Sequence, residues 1–450
     1  MEYSLEISRL CDNLQERTAN GEEISMTDLE VLFREAALAS GRLALSRFLS
    51  NIPETAPLCP KCNEPMRNLD RREKQIVTLL GECKFDRNYY GCDCGGNCCG
   101  EGENGCHEYA LPKDVKLGVS GTKFTETVKR VTAQIAASDS FIDTSANLKA
   151  LCGIDVSAKE CERIAENAGE KILSIRQEEI SYSETELNPP EPEVPAKTLY
   201  IEYDGTGVPI RKKELTGIKG KQEDGSAKTR EMKTGCIFTQ SGVNDEGKPI
   251  RDAESTTYFS QIGTLEGFGQ LLYSEAVKRG VDYAGKVVVI GDGAKWIWNL
   301  AKDNFPYAVQ IVDMFHAKEH IFDVLRNTIN NEKELHFQKA RLYTLLENGD
   351  IDALTDAFSK LPATTSEQLE KVRVEYNYFT QNKERMQYQN FRNQGLFVGS
   401  GVIEAACKNV IGKRLKQSGM LWSVDGANKI SALRCAVLSG YFEPKSQMAS

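Results

Sequence analysis

Two stretches of the chain carry an apolar strand into an aspartate that is followed by glycine. Residues 198–210 read TLYIEYDGTGVPI, and residues 286–293 read KVVVIGDG. A tight turn explains one Asp-Gly pair, because both residues suit turn conformations. Its repetition at the ends of two apolar strands favours another explanation, in which Asp204 and Asp292 meet and hold a divalent cation.

Strand alternation gives the first stretch two faces, with Leu199, Ile201 and Tyr203 on one and Tyr200, Glu202 and Asp204 on the other. Asp204 therefore projects from the face opposite the expected core contacts, or into a cleft covering that face. Asp292 ends a buried strand, where ligands of α/β sheets gather. Two adjacent carboxylates repel each other, and bound Mg²⁺ or Mn²⁺ removes that cost. These ions prefer carboxylate, water and phosphate oxygens.

The segments around these two strands predict a mixed sheet flanked by helices. The further strands are EMKTGCIFTQSG (231–242), STTYFSQI (255–262) and AVQIVDMFH (308–316), and a helix is predicted at EGFGQLLYSEAVKRG (266–280). From about residue 317 to 390 the pattern is helical and polar, and strands do not return. A glycine-rich entry and a further helix follow, GLFVGSGVIEAACKNVIGKRLKQSG (395–419).

The residues before the sheet predict three smaller modules. Residues 1–56 form a helical region, and residues 118–186 form helices in which a short turn, with Ser157 as an N-cap, precedes the last helix. That pair of helices is typical of a helix-turn-helix DNA-binding region, with a plain helical bundle as the alternative. Residues 187–197, LNPPEPEVPAK, hold four prolines and predict a linker.

The third module, residues 57–112, is rich in cysteine. Cys59 and Cys62 have the CxxC spacing of a zinc ribbon, and residues 76–92, IVTLLGECKFDRNYYGC, predict a hairpin. The chain shows no export signal, so clustered cysteines favour Zn²⁺ ligation over disulfides. We take Cys92 and Cys94 as the second ligand pair. The alternatives for that pair are Cys98, Cys99, Cys106 and His107.

Composition bounds the function. The net charge of −9 over 450 residues argues against a generic nucleic-acid coat. Basic residues nevertheless cluster between residues 211 and 233 and near the C-terminus. No apolar run is long enough for a membrane helix, and the first residues do not resemble a signal peptide. These features predict a cytoplasmic protein without a membrane partner.

Three segments closely resemble the DDE transposases of bacterial insertion sequences, specifically the ISKra-type family, which is related to the Mutator-like transposases. They are YDGTGVPIRKKELTGIKGKQEDGSAKTREMKTGCIFTQ, GDGAKWIWNLAKDNFPYAVQIVDMFHAKEH and GLFVGSGVIEAACKNVIGKRLKQSGMLWSVDGANKISALRCAVLSG. The resemblance extends to CPKCNEPMRNLDRREKQIVTLLGE and VSAKECERIAE, so it covers nearly all of the chain from residue 57 onward.

The resemblance implies an RNase H-like catalytic domain over residues 198–440, with an all-α insertion at about 325–392. It implies an acidic triad of Asp204, Asp292 and Glu404 that binds Mg²⁺ or Mn²⁺. Spacing alone does not single out Glu404. Such enzymes bind the ends of their insertion sequence, cleave the DNA, and use the freed 3′ hydroxyl to attack target DNA. Double-stranded DNA and a homo-oligomer assembled on it are the implied partners.

Several further residues are predicted to contact DNA. Asp313 and His316 match the Cys/Asp-x-x-His motif of related transposases, and His316 is assigned a DNA-contacting or structural role. Asp313, His316 and His320 are an alternative transition-metal set. Lys408, one helical turn after Glu404, can meet a phosphate. Arg414 and Lys416 continue that basic helix, and Trp422 can stack on an extruded base.

The glycines that flank the two strand ends, Gly205, Gly291 and Gly293, are interpreted as letting metal and DNA backbone approach closely. Two other functions stay open at this point. One is a DNA-binding regulator with zinc-ribbon and helix-turn-helix modules and an inert catalytic fold. The other is an RNase H-type nuclease that cleaves DNA but never joins it.

Overall fold

The computed structural model describes residues 2–92, 107–185, 189, 191–220, 222, 225 and 227–442. The chain divides into two units, Met1–Ile164 and Ala165–Ser450. The finer division predicted from the sequence, with boundaries at residues 57, 118, 187 and 198, stays a prediction. No helix within the described part of the chain has the length and apolarity required to cross a bilayer.

The first unit begins with two helices, α1 (Glu2–Ala19) and α2 (Met26–Asn51), in the region predicted to be helical. The predicted hairpin is confirmed as the antiparallel strands β1 (Arg67–Thr78) and β2 (Gly81–Cys92), and the short β3 (Glu108–Ala110) pairs with β2. Cys92 ends β2 opposite Glu108. Because Cys59 and Cys92 belong to one small buried cluster, the CxxC turn is held against the end of the hairpin.

Four helices follow the hairpin, α3 (Pro112–Lys116), α4 (Glu126–Ala136), α5 (Phe141–Asn147) and α6 (Ala158–Thr185). A π-helical turn, Leu148–Cys152, extends α5 and ends at Gly153 in the left-handed conformation. Ser157 Oγ accepts a hydrogen bond from the Glu160 amide at 3.3 Å, as expected of an N-cap for α6. A short turn thus separates α5 from α6. Helix α6 continues past residue 164 into the second unit.

The second unit is built on a five-stranded mixed sheet of order β10-β9-β4-β5-β8. The strands are β4 (Thr198–Pro209), β5 (Thr229–Gln240), β8 (Thr257–Gln261), β9 (Val287–Gly291) and β10 (Val309–Val312), and the two-residue strands β6 (Gly242–Val243) and β7 (Pro249–Ile250) form a separate ribbon. Strand β5 is antiparallel to β4 and β8, whereas β9 is parallel to β4 and β10. The predicted mixed sheet is confirmed.

The remaining helices include the helix predicted at 266–280, the helical region predicted from about 317 to 390, and the helix predicted within 395–419. They are α7 (Leu265–Lys278), α8 (Lys295–Asn304), α9 (Met314–Thr328), α10 (Glu332–Asn348), α11 (Ile351–Ser359), α12 (Ser366–Gln381), α13 (Tyr388–Asn393), α14 (Gly401–Ala406), α15 (Lys413–Leu415) and α16 (Val424–Leu438). A π-helical segment, Cys407–Gly412, joins α14 to α15. No strand occurs between residues 313 and 442.

Both faces of the central strand β4 are covered. On one face, the Tyr203 hydroxyl donates to the Ile297 carbonyl oxygen of α8 at 2.7 Å. On the other face, the Tyr200 ring stacks on Phe238 with centroids 4.9 Å apart, and its hydroxyl accepts a hydrogen bond from the Phe397 amide. This double burial explains why residues 199–203 are apolar apart from Glu202, whereas the strand is mostly only partly buried from Asp204 onward.

Candidate active site

The strand register brings three aspartates to one edge of the sheet. In the parallel pair β4–β9, Glu202 lies opposite Ile290, and the same register continued by two residues sets Asp204 opposite Asp292. In the pair β9–β10, Val312 lies opposite Gly291, and the Asp313 amide donates to the Gly291 carbonyl oxygen at 2.7 Å. Neighbouring strands are about 4.8 Å apart. Asp292 and Asp313 therefore directly follow β9 and β10, whereas Asp204 lies within β4, two residues after its last pairing with β9; the strand continues to Pro209, which corrects the prediction that it ends at the aspartate.

The Asp204 carboxylate responds to this surrounding charge. Burial raises the pKa of Asp204, and the negative charges of Asp292 and Glu231 raise it further. The amide of Gly205, which donates to Asp204 Oδ1 at 2.6 Å, and the nearby His316 oppose that rise. Asp292 is therefore close enough to act on Asp204 electrostatically. A bound cation would stabilise both charges.

Helix α14 brings Glu404 to the same edge. The Ile403 amide donates to Glu202 Oε2 at 2.9 Å, and Cys407 Sγ lies 3.9 Å from Asp204 Oδ2. The exposed Glu404 lies between these two anchored residues. Burial raises the pKa of Glu404, and the charges of Asp313, Glu319 and Asp204 also raise it. All three acids of the predicted triad thus border one cluster.

The carboxylate oxygens of Asp204, Asp292 and Glu404 lie farther from one another than the thiol sulfurs of the first unit do. Among the residues that the structure describes, only Cys59, Cys62 and Cys92 bring three ligand atoms within 4.8 Å of one another. The donor set at the sheet edge consists of carboxylate oxygens, which fits Mg²⁺ or Mn²⁺. Asp204 is partly buried and lies near Asp292 and Glu231, so burial first and like charge second disfavour its ionised form, and a cation would offset both.

Asp313 has a structural function at this edge. Its side chain is buried, and its Oδ1 accepts a hydrogen bond from the His316 amide at 2.7 Å, which caps helix α9. Its Oδ2 accepts hydrogen bonds from the Ser400 hydroxyl, at 2.5 Å, and from the Ser400 amide. Both carboxylate oxygens are occupied by these donors. The alternative metal set of Asp313, His316 and His320 does not converge in the described part of the chain.

Replacing Asp313 by alanine should destabilise the second unit by about 3 kcal/mol, because buried donors of Ser400 and His316 lose a charged acceptor. Urea unfolding of the full chain measures this loss. The matched control is Asp350→Ala, which removes an exposed N-cap aspartate from α11 and should cost about 1 kcal/mol. Equal losses in the two variants would contradict the structural function of Asp313.

The predicted DNA contacts divide into exposed and buried residues. Lys408 is exposed, and so is Lys416, whose Nζ donates to the Thr206 hydroxyl just beyond Asp204. Arg414 is fully buried, with its guanidinium 5.2 Å from the centroid of the buried Trp422 ring. The Trp422 indole N–H donates to the Leu415 carbonyl oxygen. The structure therefore places Arg414 and Trp422 in the core, and their predicted contacts with DNA need correction.

The flanking glycines also have another explanation. A Cβ at Gly205 would lie 2.3 Å from Glu231 Oε1, and one at Gly291 would lie 2.8 Å from Ile297. At Gly293, where φ is +98°, a Cβ would lie 2.6 Å from the Tyr378 ring. Side chains of the protein occupy the space next to all three glycines. They permit internal packing, which corrects the interpretation that they admit metal and DNA.

The cysteine module of the first unit forms a possible metal site. Cys62 Sγ lies 3.5 Å from Cys92 Sγ, and both belong to the group of three converging thiols. The backbone amides of Cys62 and Lys61 help to lower the pKa of Cys59 to about 7, which favours the thiolate that a metal needs. The predicted ligand Cys94 lies outside the described residues, as do Cys98, Cys99 and Cys106. His107 is exposed and is not in the group.

Sequence reasoning missed two residues of the helical insertion at the sheet edge. Glu375 and Tyr378, both on α12, contact His320. The sequence predicts for His320 only a place in the alternative metal set, but its side chain is 27% exposed and lies against α12. Nothing in the spacing connects α12 with strand ends more than 80 residues away. Glu202 could have been noticed in the sequence, because it is an acid within an apolar strand. In the structure, burial raises the pKa of Glu202 to about 8.

The chain is thus an α/β protein in which Asp204, within β4, and Asp292 and Asp313, directly after β9 and β10, belong to neighbouring parallel strands of one mixed sheet. The chain is similar to two UPF0236 proteins. One, described as the UPF0236 protein in the vanSb 3′ region of Streptococcus gallolyticus, is 25% identical over 390 residues, which span 83% of this chain and 75% of that protein. No protein-family profile matches the chain.

The second relative comes from Caldanaerobacter subterraneus subsp. tengcongensis and is 20% identical over 425 residues, 91% of this chain and 77% of that protein. Its name joins eleven loci of that genome. Among solved structures, the Drosophila P element transposase strand transfer complex aligns with 74% of this chain and 82% of its own chain. The TM-score is 0.26 at 10% identity, so this likeness carries no argument about the fold.

Proposed function

We propose that the protein is a DNA transposase of the DDE type, which cleaves the ends of its insertion sequence and joins them to target DNA. The observation that supports this proposal is that Asp204, on β4 just beyond its pairing with β9, and Asp292, directly after β9, lie on neighbouring parallel strands, with Glu404 on a helix anchored beside them. This arrangement supports metal-dependent phosphodiester chemistry on an RNase H-like domain.

Asp204, Asp292 and Glu404 would hold Mg²⁺ or Mn²⁺. When bound, such ions activate a water or hydroxyl nucleophile and stabilise the departing oxygen. The protein's own contribution is to fix the carboxylates. The register of β4 and β9 sets two of them, and the hydrogen bond between the Ile403 amide and Glu202 sets the helix that carries the third. Preorganisation of this kind avoids reorganisation during the reaction.

Cationic side chains next to the acids support a nucleic-acid substrate. Lys408 and Lys416 are exposed on the segment that follows Glu404, and Lys416 reaches Thr206 on the end of β4. After β4 comes a basic loop with Lys212, Lys213 and Lys219 exposed or partly exposed. Local positive charge is what phosphate binding requires, whatever the net charge of the chain.

The relatives add a second line of support. A protein name that joins eleven loci of one genome is expected of mobile DNA, which leaves copies of its gene. The three converging thiols support Zn²⁺ in the ribbon, with Cys94 as the proposed fourth ligand. We place the protein in the cytoplasm on DNA, as a homo-oligomer that holds two element ends together.

Incubation of the full chain with labelled DNA from either side of its gene, in Mg²⁺ or Mn²⁺, tests the proposal. We expect strand-specific nicks at the element ends. Binding without nicks would favour the alternative, a regulator that binds DNA through zinc-ribbon and helix-turn-helix modules. Nicks at arbitrary positions, with no joined products, would favour an RNase H-type nuclease.

A further inference from the structure

Helix α12 of the helical insertion forms one wall of the candidate active site. Glu375 and Tyr378 are three residues apart on it and therefore share a face. The Tyr378 hydroxyl donates to the Asp292 carbonyl oxygen at 2.9 Å, and its ring stacks on His320 with centroids 4.1 Å apart and planes 17° from parallel. One tyrosine thus contacts both the end of strand β9 and helix α9.

A hydrogen-bonded chain runs from Glu375 through two histidines toward the acids. Glu375 Oε2 lies 2.6 Å from His320 Nδ1, and His320 Nε2 lies 3.3 Å from His316 Nε2. Only 1% of the Glu375 side chain is exposed, whereas His316 is 38% exposed. The charge of His316 acts on the carboxyls of both Asp204 and Glu404. This series of hydrogen-bonded side chains therefore begins at the buried Glu375 and ends at His316, beside the candidate active site.

Glu375 is held as a carboxylate at the buried end. Burial alone would raise the pKa of Glu375, but hydrogen bonds from His320 and Lys371 outweigh burial, and the pKa is lowered. The Lys371 ammonium lies 2.9 Å from Glu375 Oε1, which leaves Oε2 for His320. An ionised carboxylate accepts hydrogen bonds but cannot donate them. His320 must then carry its proton on Nδ1.

The position of that proton determines the direction of the other hydrogen bonds in the series Glu375–His320–His316. A neutral His320 with a proton on Nδ1 presents a lone pair at Nε2. His316 must in turn donate from its own Nε2 across the 3.3 Å contact. The His316 Nδ1 edge then faces outward, where it lies 3.5 Å from Oε2 of Glu319, a side chain that is 77% exposed. A ligand can replace this contact without disturbing the core.

We infer that Glu375 and His320 are positioning residues that orient the His316 ring so that, in its protonated form, its Nδ1–H donates to a DNA phosphate at the acidic site. The identity of the ligand, a DNA phosphate, rests on the proposed function. The orientation of the His316 ring does not depend on it. It gives the helical insertion a direct function, since α12 supplies Glu375 and the tyrosine that stacks on His320. Carboxylates that orient metal-ligating histidines change metal affinity or activity about 10- to 100-fold when removed, and we expect an effect of that size here.

The orientation can be tested without DNA. The chain has four histidines, His107, His316, His320 and His336, so ¹⁵N-histidine labelling and long-range ¹H–¹⁵N correlation can resolve each ring. Single His→Gln variants assign the signals. We expect a proton on Nδ1 alone for His320 and a proton on Nε2 of His316. Any other arrangement, including unprotonated Nε2 atoms on both rings, would overturn the inference.

Two substitutions of Glu375 provide the functional readout. Glu375→Ala should convert His320 to a mixture of tautomers and slow nicking of the labelled flanking DNA about 10- to 100-fold. Glu375→Gln restores a neutral acceptor and should recover part of the rate. Glu370→Gln, on the exposed side of the same helix, is the matched control and should match the parent.

A double variant separates positioning from general support of the fold. His316→Gln combined with Glu375→Ala should be no slower than His316→Gln alone, because Glu375 acts through that ring. Additive losses would overturn the inference. If the parent protein nicks no DNA, the proposed function fails, while the tautomer measurement still decides the orientation of His316.

Discussion

Replacement of Asp292 by asparagine should reduce metal-dependent DNA cleavage by at least about 10³-fold, because loss of a carboxylate ligand removes several kcal/mol of charge stabilisation from the reaction. The fold should persist. Asp292 Oδ1 accepts a hydrogen bond from the Ala294 amide at 2.8 Å, and an asparagine carbonyl oxygen can accept the same bond. Single-turnover cleavage in Mg²⁺ measures the loss, and thermal unfolding checks the fold.

The matched control for Asp292→Asn is Asp303→Asn. Asp303 lies exposed on helix α8, which follows the same strand, so its neutralisation changes net charge equally without touching the sheet edge. We expect parental cleavage from this control. Cleavage by Asp292→Asn within a few-fold of the parent would mean that Asp292 is not a metal ligand.

Removal of one thiol from the cysteine module should abolish Zn²⁺ binding by the protein. The full chain should bind one equivalent of Zn²⁺, and Cys59→Ser should lose it, since Cys59, Cys62 and Cys92 converge on one point. A small buried cluster of Cys59, Met66, Tyr90 and Cys92 gives this end of the hairpin little core of its own. Zinc loss should therefore expose residues 57–112 to limited proteolysis.

Cys152→Ser provides the comparison for the zinc measurement. Cys152 belongs to the same unit but lies in the π-helical turn after α5, outside the group of converging thiols. Zinc content by atomic spectroscopy should equal that of the parent. Equal zinc in Cys59→Ser and Cys152→Ser would contradict a metal site at the hairpin end. Cys94→Ser then tests the proposed fourth ligand.

The order of strands and helices could be predicted because each strand carries a local signal. The segments around Ile201, Ile237, Phe259, Val289 and Ile311 are apolar, short and bounded by turns, and all five form strands of one sheet. Parallel pairing of β4 with β9 follows from the intervening helix α7, since a helical crossover permits it. The two strand-to-aspartate stretches then become neighbours.

The site itself was only partly predictable. The repeated apolar strand with Asp-Gly singles out Asp204 and Asp292, although β4 continues past Asp204 to Pro209. Glu404 was identified only from the resemblance, because spacing alone cannot bring a residue on a later helix to a sheet edge. The prediction that Arg414 and Trp422 contact DNA was wrong. It assumed that a basic helix and the aromatic residue after it are exposed on the surface. In the structure the Arg414 guanidinium lies against the Trp422 ring, so the charge is buried over an aromatic face.

The contribution of α12 had no sequence signal at all. Glu375 is one of many acids in a polar helical region, and nothing local distinguishes it from the exposed Glu370. Its function depends on burial and on a 2.6 Å contact with His320, 55 residues earlier. Long-range pairs of this kind arise from tertiary packing, which periodicity does not report.

Joining of labelled element ends to a plasmid tests the central claim most directly. The parent chain and the variants Asp204→Asn, Asp292→Asn and Glu404→Gln would be compared in Mg²⁺, with all four proteins matched for DNA binding. We predict covalent joining of 3′ ends by the parent and none by any of the three variants. Joining by Asp292→Asn at the parental rate would contradict the assignment of these acids as the catalytic triad.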